Sequence, residues 1–247
     1  MNRFFVGTFL LLCLACKEKP KMNITAQEIV DKSIEDSGGV RYTNHGTSFL
    51  FRNRKYISES FRGRKVLKRI SFFDSTIVTD IKTNASFERY MNDTLVNLSD
   101  SIANRYANSV NSVHYFAKLP FGLNDKAVHK ELLGEETIKG KNYYKIKITF
   151  DENGGGDDFD DVYLYWFNKQ TFKAEYLAYD FHVNGGGQRF REAYNERYVN
   201  GIRFVDYYNF KPKNKKTSIF EIAKLFEKGE LELLSKIELS EIKVVEN

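Results

Sequence analysis

Three kinds of apolar spacing follow one another along this chain. Residues 4–14 form a nearly unbroken apolar run between Met1-Asn2-Arg3 and Leu14-Ala15-Cys16. From Thr25 the period becomes helical: Ala26, Ile29, Val30 and Ile34 fall on one face. Thr25 and Glu28 have the spacing of a capping box, and Gly38-Gly39 supplies a stop. Between Thr47 and Leu98 the chain changes to short β-prone runs at residues 49–52, 56–57, 70–73, 76–78 and 87–90, separated by Asn, Asp, Gly and Lys. A second helix starts at Ser99 or Asp100, carries the stripe Ile102, Tyr106, Val110, Val113 and Ala117, and ends at Pro120. Strand spacing returns at residues 143–150, 162–167, 174–183, 188–199 and 202–210. Asn200-Gly201 predicts a tight hairpin between the last two, because both residues tolerate positive φ. Residues 219–226 predict a short helix and 231–245 a final strand.

The order helix, strands, long helix, strands predicts an α+β fold without internal repeats. A large curved antiparallel sheet, an incomplete β-barrel covered on its concave side by helices, satisfies it. In Val162-Tyr163-Leu164-Tyr165-Trp166-Phe167 both faces are apolar or aromatic, so neither is freely solvated. With 15 tyrosines and 21 phenylalanines in the chain, such rings either fill a core or line a hydrophobic cavity. The expected lining of such a cavity is Tyr163, Tyr165 and Trp166 from this strand and Phe190 and Tyr194 from a later one.

The first apolar run has the length of a signal-peptide h-region and is too short to span a bilayer as a helix. Ala15 is the small residue that lipoprotein processing needs before Cys16, although Cys13 stands at position −3 where Leu is usual. Residues 1–15 therefore predict a signal peptide, Cys16 a lipidated terminus, residues 16–24 a tether, and residues 25–247 a single β-rich domain. No Asp follows Cys16, so the expected location is the outer membrane, with the domain on its periplasmic side. Of the two cysteines one leaves with the signal and the other is acylated, which excludes a disulfide, a thiol nucleophile and a thiolate metal site. The net charge of +5 falls by one with Arg3 and is spread without a dense basic block, so nucleic-acid binding has no support.

Several runs resemble the signature of an uncharacterised lipoprotein family common in Bacteroidota. They are residues 109–125, with His114-Tyr115-Phe116-Ala117-Lys118-Leu119-Pro120 at their centre, Gly154-Gly155-Gly156 with Asp160-Asp161, Tyr165-Trp166, and residues 185–195. The resemblance covers nearly the whole mature chain and implies no activity. In element order the chain is also similar to the LolA/LolB-type carriers of lipoproteins. That likeness implies an incomplete barrel with helices closing its mouth and an apolar cavity for acyl chains.

Two constellations carry candidate chemistry. Residues 151–161 hold six carboxylates around three glycines. Asp157, Asp158, Asp160 and Asp161 either ligate a hard cation such as Ca²⁺ or belong to a solvated hairpin loop, since the spacing fits neither an EF-hand nor the Gly-rich nonapeptide repeat. Gly185-Gly186-Gly187 precedes Arg189 and Arg191, which share strand parity with each other and oppose Phe190 and Tyr194. That basic face either meets solvent or rims the concavity, where it would meet an anionic head group. The four histidines, at 45, 114, 129 and 182, form no HExxH, and no nucleophile elbow accompanies His114. The resulting expectation is an envelope lipoprotein that binds a lipid, acyl chain or other hydrophobic ligand. A non-catalytic envelope scaffold is the alternative, ahead of a metal-assisted hydrolase. No resident cofactor is expected, Ca²⁺ aside.

Overall fold

The computed structural model describes residues 24–61, 64–155, 159–182, 185–214 and 217–246. The expected signal peptide, Cys16 and most of the tether lie outside them, as do Asp157 and Asp158. Helix α1, Ala26–Ser37, begins as its spacing requires. Thr25 Oγ1 accepts from the Glu28 backbone N–H, and the Glu28 carboxylate accepts from the Thr25 N–H at 2.8 Å. Gly38 ends the helix at φ 143°, where an added Cβ would lie 3.2 Å from the Gly201 carbonyl oxygen.

A single turn, α2 (Arg41–Asn44), leads into β1 (His45–Phe51), β2 (Arg54–Phe61), β3 (Arg64–Phe73), β4 (Thr76–Lys82), β5 (Phe87–Met91) and β6 (Thr94–Leu95). The long helix α3, Asp100–Ala117, follows. Then come β7 (Val128–Ile138), β8 (Lys141–Phe150), β9 (Val162–Asn168), β10 (Ala174–Phe181), β11 (Gly187–Val199) and β12 (Ile202–Pro212). Helix α4 (Ile222–Glu227) precedes β13 (Leu231–Ile237) and β14 (Ser240–Glu246). Asn200-Gly201 makes the expected hairpin, with φ of 45° and 77°. Arg52-Asn53, Asn92-Asp93 and Lys139-Gly140 turn in the same way with both residues at positive φ.

Among the described residues the strands form two seven-stranded antiparallel sheets. The first has the order β14-β1-β2-β3-β4-β5-β6 and the second β13-β12-β11-β10-β9-β8-β7, and neither closes on itself. The expected final strand is two strands in two sheets, because the segment breaks at Glu238-Leu239. Side chains hold that break. Asp206 Oδ1 accepts from Leu239 N–H at 2.9 Å, and Arg197 Nη2 donates to the Leu239 carbonyl at 2.7 Å. Strand β7 was not legible from apolar spacing. It is an edge strand, mostly polar, with a bulge between Leu132 and Gly134 that disrupts its alternation.

Helix α3 lies between the two sheets. Val110 and His114 are buried on its first-sheet side, where Phe49 and Tyr56 meet the His114 ring edge-on. Phe116 faces the second sheet, 6.1 Å from the Tyr179 ring. On this inner face Ile29 and Val30 of α1 pack with Tyr165, Phe167, Leu119 and Leu123. Helix α4 takes the opposite, outer face, packing Ile222 and Ala223 against Leu164, Trp166 and Phe190. The second sheet is thus covered on both faces, which explains the doubly apolar β9; the expected cover was on one side only.

Candidate functional site

Two cross-strand rows build the inner face of the second sheet. One runs Tyr163–Tyr179–Arg189 and the other Tyr165–Leu177–Arg191–Asn209–Ser235, each by antiparallel pairing. Where α3 rises away from this face, a cavity of about 590 Å³ remains. Small-molecule sites occupy roughly 300–1,000 Å³. Val113 and Phe116 of α3 form its roof, Tyr163, Tyr179, Val205 and Tyr207 its floor, and Leu234, Ile237 and Leu239 one wall. Arg52, Arg189 and Arg191 also line it, against a single acid among the described residues, Asp161.

The charged groups differ in how they are held. Arg189 donates to the Gln188 carbonyl at 2.9 Å and lies over the Phe181 ring. Arg191 is 9% exposed, donates Nη2–H to Tyr179 Oη at 2.9 Å, and sits 4.4 Å from the Phe116 ring centre. Among the described residues its Nε has no hydrogen-bond partner. Burial raises the Tyr207 phenol above its ordinary pKa, so at neutral pH it presents a hydroxyl and not a phenolate.

Of the residues expected at a ligand site, Tyr163, Arg189 and Arg191 meet in this cavity. Trp166, Phe190 and Tyr194 belong to the opposite face. Trp166 is fully buried, donates Nε1–H to Glu136 at 2.8 Å and packs edge-on against Phe190. Tyr194 stacks on Tyr208 at 4.1 Å and bonds Glu238. Tyr165 is on the inner face but fully buried in the core outside the cavity. Adjacency in one aromatic run grouped Trp166 with Tyr163 and Tyr165, whereas strand alternation turns it to the other face, which α4 makes core. Tyr179, Tyr207 and Phe116 were not anticipated. Counting pairs outward from Tyr163 across the β9–β10 hairpin would have reached Tyr179.

Of the four aspartates expected to ligate a cation, Asp160 and Asp161 are described, and His182 joins them: donor atoms of the three lie within 4.8 Å of one another. His182 Nδ1 stands 3.4 Å from Asp161 and 3.7 Å from Asp160. A nitrogen donor departs from the all-oxygen set that Ca²⁺ prefers. His114, expected to be a helix-surface or satisfied core histidine and not a general base, is a core residue, 2% exposed and bonded to the Lys68 carbonyl. No helix among the described residues is long and apolar enough to cross a membrane.

In overall arrangement the chain is similar to a LolA superfamily protein from Nitrosomonas europaea, at 15% identity and a TM-score of 0.48, covering 89% of this chain and 93% of that one. It is likewise similar to a DUF1329 family protein from Desulfovibrio piger, at 12% identity and a TM-score of 0.46, covering 89% and 92%. At such identities and scores the likeness says nothing of ligand or partner. Among curated proteins none matches the chain. Residues 50–239 match the family model described as a family of unknown function, DUF6503, and since this is well over half of the chain, the protein belongs to that family.

Proposed function

We propose that this protein is an envelope lipoprotein, anchored through an acylated Cys16, whose domain binds a lipid, acyl chain or other hydrophobic ligand. The observation that carries this reading is the cavity between α3 and the second sheet, about 590 Å³ and walled mainly by aromatic and aliphatic side chains. The cleft is open to solvent, so its apolar walls stay in contact with water until an apolar guest covers them.

Native mass spectrometry of the full chain released from membranes, followed by organic extraction, tests this. The covalent anchor stays with the protein on denaturation, and a cavity ligand leaves. A stoichiometric, non-covalent lipid or acyl species is the expected result. A ligand-free mass favours the scaffold reading, for which Phe72, Phe73, Ile77, Met91 and Leu95, exposed on β3 to β6, offer a contact surface.

A further inference from the structure

Charge inside the cavity points to the chemistry of its ligand. Three arginines in the described structure are at least nine-tenths buried: Arg69, Arg191 and Arg203. Two follow the usual rule that a buried cation is paired. Arg69 forks onto Asp80 at 2.6 and 2.8 Å, and Arg203 is held by Glu196. Arg191 breaks the rule. Among the described residues no carboxylate lies within 4 Å of it, its Nε is unpartnered, and its remaining contacts are one phenol oxygen and two aromatic rings. It is also the one of the three that lines the cavity.

The contrast with Lys118 sharpens this. Lys118 is similarly buried and among the described residues has only Ser58 Oγ, at 2.7 Å, as hydrogen-bond partner. Desolvation makes an ammonium easier to deprotonate, whereas a guanidinium keeps its charge at any accessible pH, so Arg191 must find an anion or remain uncompensated. Arg189 lines the same cavity, also without a carboxylate among its described contacts. Among the described residues the local excess is therefore positive, next to apolar walls.

We infer that the cavity takes an amphiphile with an anionic head group, a carboxylate or a phosphate, and that the Arg191 guanidinium receives that group while the chain lies between Phe116, Tyr163 and Tyr207. This rests on the reading of the cavity as a ligand site. Nη2 is held by Tyr179 and the planar group is steadied over Phe116, so the fork is pre-oriented and its free N–H groups suit a bidentate anion. The ligand thus supplies the counter-charge that the described residues omit.

The test uses the full chain, purified from membranes and held in amphipol, with cis-parinarate and its uncharged methyl ester as fluorescent probes. The acid should bind about tenfold or more tightly than the ester, the preference expected of a charge-assisted pair in a desolvated site. Arg191→Met should abolish that preference while keeping ester binding, which also shows that the cavity remains folded; Arg191→Lys should keep part of it. Equal binding of acid and ester by the unaltered protein overturns the inference and leaves the cavity reading standing. Binding of neither probe overturns both. Inorganic phosphate at millimolar concentration should not displace parinarate, and displacement by it would show a free-anion site instead. Competition by laurate or by lysophosphatidate then distinguishes a carboxylate from a phosphate head, and either supports the inference.

Discussion

Burial removes the proton from a basic side chain of α3 and makes that of Lys118, its C-cap, easier to lose without removing it. The Lys68 carbonyl can only accept, so His114 carries its hydrogen on Nε2, at 3.1 Å, and its buried Nδ1 stays bare. Desolvation, opposed by that hydrogen bond, pushes its pKa from 6.5 down to about 3. Burial likewise lowers Lys118 to about 8, which leaves it largely charged at neutral pH. The folded protein thus holds His114 neutral, whereas the unfolded chain takes up a proton near pH 6.5. Its contribution to stability is complete above pH 6.5 and drains as pH falls toward 3. Between pH 7.5 and 5 the loss should be about 2 kcal/mol. His114→Phe, which keeps a ring between Phe49 and Tyr56, should flatten that part of the pH dependence in urea unfolding. Identical slopes in the two proteins would remove His114 as its source.

Between elements, one carboxylate ties three strands to the long helix. Arg69, Asp80 and Arg89 are cross-strand partners on β3, β4 and β5. Asp80 is fully buried and accepts from both guanidinium groups, and Arg69 Nη1 also donates to Ser109 Oγ on α3 at 2.8 Å. Breaking a buried pair from one side costs about 3–5 kcal/mol, because the remaining charge is left uncompensated. Asp80→Asn should lower the urea midpoint accordingly and loosen α3. A change below about 1 kcal/mol, the range of a surface ion pair, would show that Asp80 carries no such role.

At the scale of the molecule, the two sheets meet where β13 becomes β14. Asp206, 2% exposed, accepts from Asn195 Nδ2 at 2.6 Å, Arg197 Nη2 at 2.9 Å and Leu239 N–H at 2.9 Å. A bulge in β11 after Tyr194 brings Asn195 and Arg197 to it. Asp206→Ala should cost about 3 kcal/mol or more and expose the β14–β1 ladder to hydrogen exchange ahead of the β9–β10 ladder. Unchanged protection of the β14 amides would mean that the sheets are joined by packing alone, through Val244, Ile202, Phe204 and Tyr42.

Local spacing was sufficient wherever a few neighbouring residues settle the outcome. The capping box of α1, the extent of α3, the Asn200-Gly201 turn and the doubly buried β9 were all legible, because each depends on contacts within a turn of helix or a pair of strands. So was the general architecture of an unclosed antiparallel β structure with helices against it, although the expected one large sheet is two seven-stranded sheets among the described residues. Strand parity also showed that Arg189 and Arg191 share a face opposite Phe190 and Tyr194. It could not say which face would be core. That was decided by α4, six residues long, which covers Trp166 and Phe190, and by α3, which stands off the other face and leaves the cavity. The break at Glu238-Leu239 was equally invisible, since the groups that hold it, Arg197 and Asp206, are more than thirty residues away in the chain. Apolar period fixes what each segment can bury, but only the docking of distant segments determines which face is filled and which stays open to a ligand.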